Sequence, residues 1–232
     1  MARLLDIVRS IAFYLVFYAG SVLIVIVSAI ALFGKDETFR WMVDRWARWH
    51  RWCMRYLLGL TVRLEGEIPA GPIFVAIKHE SFFEAIDLAR LLHRPGVFAK
   101  AELMRIPLWG LVGDRYGLIE VQRDQGAKAL RHMMAAAKRI SGEEGRPLVI
   151  FPEGTRVPHG SAPKLQAGFA GIYKLLGLPV VAIAVDSGPY YHRWWKRSGV
   201  ITYRVVDVVP PGLPRDEAEA RVQTAINALN PA

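Results

Sequence analysis

The run Pro72-Ile73-Phe74-Val75-Ala76-Ile77-Lys78-His79-Glu80-Ser81-Phe82-Phe83-Glu84 changes character in its middle. Ile73–Ile77 is a short apolar stretch rich in β-formers, which reads as a buried strand. From Phe82 to Leu92 the apolar residues recur at helical spacing. Ser81, with Glu84 three residues on, fits the S-x-x-E capping box that opens a helix. A strand therefore hands over to a helix, and His79 stands at the junction. A histidine five residues ahead of a carboxylate can act as a general base whose ring the carboxylate holds. Glu84 can equally be one half of the capping box, and these residues alone leave both readings open.

The same alternation continues outward. Thr61–Leu64, Ile73–Ile77, Val97–Lys100, Leu118–Val121, Leu148–Phe151, Val180–Val185 and Val200–Val209 read as strands. Phe82–Leu92, Gly126–Ile140, Leu165–Leu176 and Glu217–Leu229 read as helices. Pro/Gly clusters at 69–72, 142–147 and 210–214 mark loops. Such alternation predicts an α/β fold, a mixed, mostly parallel sheet flanked by helices, over residues 59–232.

Residues 1–58 are of another kind. Residues 11–33 carry no charge and are interrupted only by Gly20, Ser21 and Ser28. That length suffices to cross a bilayer core as a helix. A cleaved signal peptide competes, helped by Ala29-Ile30-Ala31, but the stretch is long for one. Over 36–58, Phe39, Met42, Trp46, Trp49, Cys53 and Tyr56 recur every three or four residues, and Arg40, Asp44, Arg48, Arg51 and Arg55 fall elsewhere. This predicts an amphipathic helix that lies in the headgroup region or packs its aromatic stripe on a core. Together they form an N-terminal two-helix membrane motif. Arginines just after the apolar stretch place the rest of the chain in the cytoplasm by the positive-inside tendency.

Composition agrees. The 232 residues are 53% hydrophobic, with a net charge of +9. Cys53 is the only cysteine, which excludes an intrachain disulfide. The basic residues gather beside an apolar span, so anionic lipid or phosphorylated substrates, and not nucleic acid, are the expected partners.

Three strand ends carry cations. Lys100 closes Val97–Lys100, Arg123 follows Leu118–Val121, and Arg156 follows Leu148–Phe151. In open α/β sheets ligands bind outside the carboxyl ends of the strands, so the three cations point to an anion site. Arg156 belongs to Phe151-Pro152-Glu153-Gly154-Thr155-Arg156. There Gly154 permits close backbone approach, Thr155 offers a hydroxyl, the Arg156 fork matches phosphate, and Glu153 can orient a hydroxyl of the same ligand. An ordinary turn with surface charges is the competing reading. His79-Glu80 starts an H-E-x-x-H zinc pattern, but Phe83 breaks it. His50, His93, His132, His159 and His192 lack metal-ligand spacing and read as surface or packing residues.

His79…Glu84, Gly117…Arg123, Phe151–Arg156 and Leu178-Pro179-Val180, in that order, resemble the four blocks of the bacterial 1-acyl-glycerol-3-phosphate (lysophosphatidic acid) acyltransferase family. The resemblance spans about residues 60–230. Two departures are visible: Glu84 stands where Asp is commoner, and Glu120 and Gln122 stand where an aromatic and an acid are usual. The resemblance implies acyl transfer from acyl-CoA or acyl carrier protein to lysophosphatidic acid, giving phosphatidic acid. It implies His79 as base and Glu84 as its partner. Arg123, Glu153, Gly154, Thr155 and Arg156 are implied at the acceptor; the strand-end reading adds Lys100 there, and the capping box makes Ser81 the helix cap beside the site. It implies no metal or other cofactor, and an inner-membrane enzyme whose catalytic domain faces the cytoplasm.

Overall fold

The computed structural model describes residues 2–31, 34, 36–105, 109–121 and 126–231. Packing divides the chain into two compact units, one of residues 1–63, 80–92 and 186–202 and the other of residues 64–79, 93–185 and 203–232.

Seven strands form one sheet: β1 (Leu60–Glu65), β2 (Phe74–Ile77), β3 (Gly96–Lys100), β4 (Leu118–Val121), β5 (Leu148–Ile150), β6 (Val180–Val185) and β7 (Gly199–Val209). Their order is β1-β7-β6-β2-β5-β3-β4. Neighbours from β6 through β4 run parallel, and β7 is antiparallel to β6. The sheet is therefore mixed and mostly parallel. All four residues of β2 and all six of β6 are buried. Burial on both faces explains why these strands read as unbroken apolar runs instead of alternating ones.

In the second unit, α6 (Gly126–Lys138), α7 (Gly168–Leu176) and α9 (Arg215–Ile226) cover one sheet face. Met133, Met134, Ala137, Phe169, Ile172, Val222 and Ile226 pack there with Phe74, Phe98, Leu148, Val180 and Ala182. The seven expected strands and four expected helices are present with shifted ends. Leu165 packs against the core ahead of α7 instead of inside it. Three short helices escape the periodicity reading because they hold fewer turns than it needs. They are α4 (Ala101–Met104), α5 (Trp109–Tyr116) and α8 (Gly188–Tyr191).

The first unit holds α1 (Ala2–Ala31), α2 (Asp36–Cys53) and α3 (Phe82–Leu91). Within α1, Leu4–Val27 is a 24-residue stretch long and apolar enough to cross a membrane. It begins well before the predicted residue 11, and Phe33 lies outside the described residues. Gly20 and Ser21, read from sequence as polar interruptions, are where α2 meets this helix. Trp46 Nε1 donates to Ser21 Oγ at 3.0 Å. A Cβ on Gly20 would sit 2.5 Å from Trp49 Nε1, so the close approach requires glycine. The predicted stripe holds through Phe39 and Cys53, both buried, but Tyr56 is 64% exposed. A π-helical turn, Met54–Leu58, ends the helix and buries Met54 and Leu58 instead. Its wider winding rotates the face away from the 3.6-residue register.

Candidate active site

Parallel strands carry His79, Phe151–Arg156 and Lys100 to one edge of the sheet. His79 follows β2, which pairs in parallel with β5, and β5 pairs in parallel with β3. Their C-terminal ends therefore share that edge, as the rule for open α/β sheets requires.

His79 is held by its backbone and by its ring. Its N–H donates to Glu153 Oε2 at 3.0 Å. Its carbonyl accepts from Val157 N at 2.8 Å. Its imidazole stacks on the Phe151 ring, with centroids 4.0 Å apart and planes 19° from parallel. The side chain stays partly accessible. The segment after β5 thus clamps the histidine from three directions.

Glu153 is buried, and its other oxygen, Oε1, accepts from Lys78 Nζ at 3.0 Å. Lys78 is fully buried. Its ammonium also donates to Ser161 O and to Asn227 Oδ1, both at 2.7 Å. Three acceptors match the three N–H bonds of an ammonium group. Asn227 is held in turn by Gln223 O and by Asn230 Nδ2. The FPEGTR segment is therefore anchored from beneath by the lysine next to His79 and by the end of α9. The sequence reading passed over Lys78, Ser161 and Asn227. The available signal was a lysine directly after a wholly apolar strand, since a buried lysine needs partners.

Glu84 lies in the first turn of α3. Its Oε2 accepts from Ser81 N at 2.9 Å, and Ser81 Oγ accepts from Phe83 N at 3.2 Å, forming a capping box. The Glu84 carboxylate has a further partner: Ser187 Oγ donates to Oε1. Ser187 Oγ is also 2.7 Å from Ser81 Oγ. Glu84, Ser81 and Ser187 are all fully buried. Glu80, also buried, accepts from Gly188 N at 2.7 Å. Two carboxylates four residues apart thus tie α3 to the start of α8. Nothing near Ser187 in sequence announces this role, because it lies 103 residues from Glu84.

Of the expected acceptor residues, Lys100 is exposed at the end of β3. Thr155 and Arg156 are exposed after β5, and Gly154 between them and Glu153 has φ +70°, where glycine is favoured. Arg123 lies outside the described residues. Among the described residues, no group of three or more His, Cys, Asp or Glu is placed to hold a metal ion.

A sequence profile described as acyltransferase matches residues 59–186, more than half of the chain. The chain belongs to the acyltransferase family. This acyltransferase is 29% identical to the 1-acyl-sn-glycerol-3-phosphate acyltransferase of Pseudomonas aeruginosa over 231 residues, 96% of this chain and 86% of the relative. It is 29% identical to the human 1-acyl-sn-glycerol-3-phosphate acyltransferase alpha over 177 residues, 72% of this chain and 62% of the human one. Its fold is similar to the crystal structure of the 1-acyl-sn-glycerophosphate acyltransferase PlsC from Thermotoga maritima. The TM-score is 0.71 at 20% identity, covering 98% of this chain and 95% of that one. The sequence blocks quoted above as His79…Glu84, Gly117…Arg123, Phe151–Arg156 and Leu178–Val180 all fall inside residues 59–186.

Proposed function

We propose that this acyltransferase moves a fatty acyl group from acyl-CoA or acyl carrier protein to the sn-2 hydroxyl of 1-acyl-glycerol-3-phosphate, forming phosphatidic acid for phospholipid synthesis. The observation that carries the reading is His79, held by Glu153, Val157 and Phe151 at the C-terminal edge of a parallel sheet. The names of the Pseudomonas and human relatives supply the acceptor.

In the proposed mechanism, His79 takes the proton of the acceptor hydroxyl while its oxygen attacks the thioester carbonyl. The tetrahedral oxyanion collapses, the C–S bond breaks, and the imidazolium returns a proton to the leaving thiolate. A positioned base of this kind contributes about 10²–10⁴ in rate. Glu84 is assigned the imidazolium, on the five-residue spacing from His79. The three strand-end cations, Lys100, Arg123 and Arg156, are assigned the acceptor phosphate, with Gly154 and Thr155 shaping that pocket. The thioester is already activated, so the scheme calls for no metal or cofactor.

Membrane attachment fits a lipid acceptor and a lipid product. We place the chain at the bacterial inner membrane with the sheet domain in the cytoplasm, where the thioester donor resides. The supports are the 24-residue apolar stretch Leu4–Val27 and the arginines that follow it.

One labelled acyl-CoA offered with a panel of acceptors tests the assignment: lysophosphatidic acid, glycerol-3-phosphate, a lysophospholipid and a lyso-aminolipid. Label should enter phosphatidic acid and vanish in His79→Ala. Preferential labelling of another acceptor overturns the substrate, and substantial turnover by His79→Ala overturns the base.

A further inference from the structure

The segment His192-Arg193-Trp194-Trp195-Lys196-Arg197 follows α8 and has no part in the chemistry above. Trp194 is 86% exposed and Trp195 46% exposed. An indole buries a large apolar area when it finds a partner, so two adjacent outward indoles are costly in water.

The exposure is built into the loop. Lys196, buried between them and Arg197, points inward. Its ammonium donates to Tyr191 O at 2.9 Å and sits 3.9 Å from the Tyr191 ring centroid. Its backbone N–H donates to Ser10 Oγ at 2.8 Å. Arg193 N donates to Tyr191 O at 2.9 Å, and Arg197 N donates to Tyr190 O at 3.0 Å. The loop backbone is thus pinned on both sides of the two exposed tryptophans.

A third contact says what they face. Tyr14 Oη, on α1, donates to Trp194 O at 2.7 Å. The surface of α1 on either side of Tyr14 is apolar and open, with Ile11 45%, Leu15 69% and Tyr18 59% exposed. The indoles therefore extend the exposed apolar surface of α1 midway along Leu4–Val27, a position at headgroup depth when α1 lies along the interface and does not cross the core. Arg193 and Arg197 flank them, exposed. Aromatic rings beside arginines are the composition of a membrane–water interface.

We propose that loop 192–197 is a bilayer-contact element, seating Trp194 and Trp195 in the headgroup region of an anionic phospholipid surface while Arg193 and Arg197 meet its phosphates. Indoles lie at headgroup level because one end is apolar and the N–H stays hydrated. Each arginine near an anionic leaflet adds about fivefold to the affinity. A second copy of the chain is the weaker occupant. A two-fold contact through this loop would gather the Arg193 and Arg197 of both copies, four like charges, in one interface, and interface cores are depleted of charge.

The test uses the full chain reconstituted in phosphatidylethanolamine/phosphatidylglycerol vesicles. The difference in emission between the wild type and Trp194→Phe isolates the Trp194 signal. Lipids brominated near the glycerol end of the acyl chain should quench it most, and aqueous iodide only weakly. Replacing phosphatidylglycerol by phosphatidylcholine, or introducing Arg193→Gln with Arg197→Gln, should weaken the shallow quenching. Three results overturn the proposal. Efficient quenching by iodide with none by brominated lipid leaves Trp194 in water. Quenching by neither places it against protein. Strongest quenching by bromine near the methyl end places it in the hydrocarbon core. Trp195→Phe, read in the same way, guards against misfolding of the first variant.

Discussion

Lys78→Met is the perturbation that most directly tests how the site is held. The Lys78 side chain is 1% exposed and that of Glu153 is not exposed at all. Methionine keeps most of the stem volume, so packing changes little and the loss falls on the ammonium. Its removal strips a donor from Glu153 Oε1, Ser161 O and Asn227 Oδ1 together. Breaking a buried ion pair from one side costs about 3–5 kcal/mol, because the remaining charge is buried without compensation. For a chain of this size, 1 kcal/mol corresponds to about 2–4 °C in Tm, so the expected drop is about 6–20 °C. Thermal unfolding of the detergent-solubilised chain, followed by circular dichroism, measures it. Surviving enzyme should lose kcat more than it gains KM. Glu153 also holds the backbone of His79, the proposed base, and a small misplacement of such a group can cost about 10² in rate. The double variant Lys78→Met/Glu153→Gln separates causes. The amide still accepts from His79 N but carries no charge, so the double variant should be more stable than Lys78→Met alone. A Tm drop below about 2 °C for Lys78→Met, or a double variant whose losses simply add, refutes the reasoning.

Three further outcomes are expected. His50 is fully buried, with Nε2 2.8 Å from Tyr191 Oη, and burial, reinforced by the Lys196 and Arg51 charges, pushes its pKa down to about 3. Its unfolded form binds a proton near 6.5 and the folded form does not until about 3. Stability should therefore fall as pH drops through this window, by at most about 1.4 kcal/mol per pH unit. Urea titrations of wild type and His50→Gln at pH 7 and pH 5 check this, and equal pH slopes for the two would contradict it. Ser187→Ala leaves the buried Glu84 carboxylate and Ser81 hydroxyl one partner short, at an expected cost of about 1–3 kcal/mol in chemical denaturation; a change of a few tenths would show that the Ser187 contact matters little. Arg156→Ala should raise KM for the phosphate-bearing acceptor with little change in Tm, since Arg156 is exposed, and an unchanged KM removes it from the phosphate site.

Local pattern accounts for much of the fold. The strands at Phe74–Ile77 and Val180–Val185 were legible because burial on both faces leaves an unbroken apolar run, and a run of that length admits few other structures. The cap at Ser81 was legible because a capping box is closed by residues three apart. The helices with clear stripes, around Phe169 and Val222, were found, and their ends were not, since Leu165 contributes to the core without being helical. Tyr56 leaves the buried side of the stripe because a π-turn shifts the face without any mark in the spacing.

The sequence by itself determined an α/β sheet domain, an apolar segment ahead of it, and a histidine delivered by a strand to a helix start. These follow from periodicity and from neighbours within one turn or one strand, where the chain supplies its own geometry. Only the tertiary structure decided what holds that histidine. Lys78 and Asn227 are 149 residues apart, and His79 and Glu153 are 74 apart. Their hydrogen bonds exist because the strand order brings distant chain ends together, and they act because burial leaves each polar group no water to turn to. No spacing rule reaches across such distances, so the sequence offered the catalytic candidate and the fold disclosed its supports.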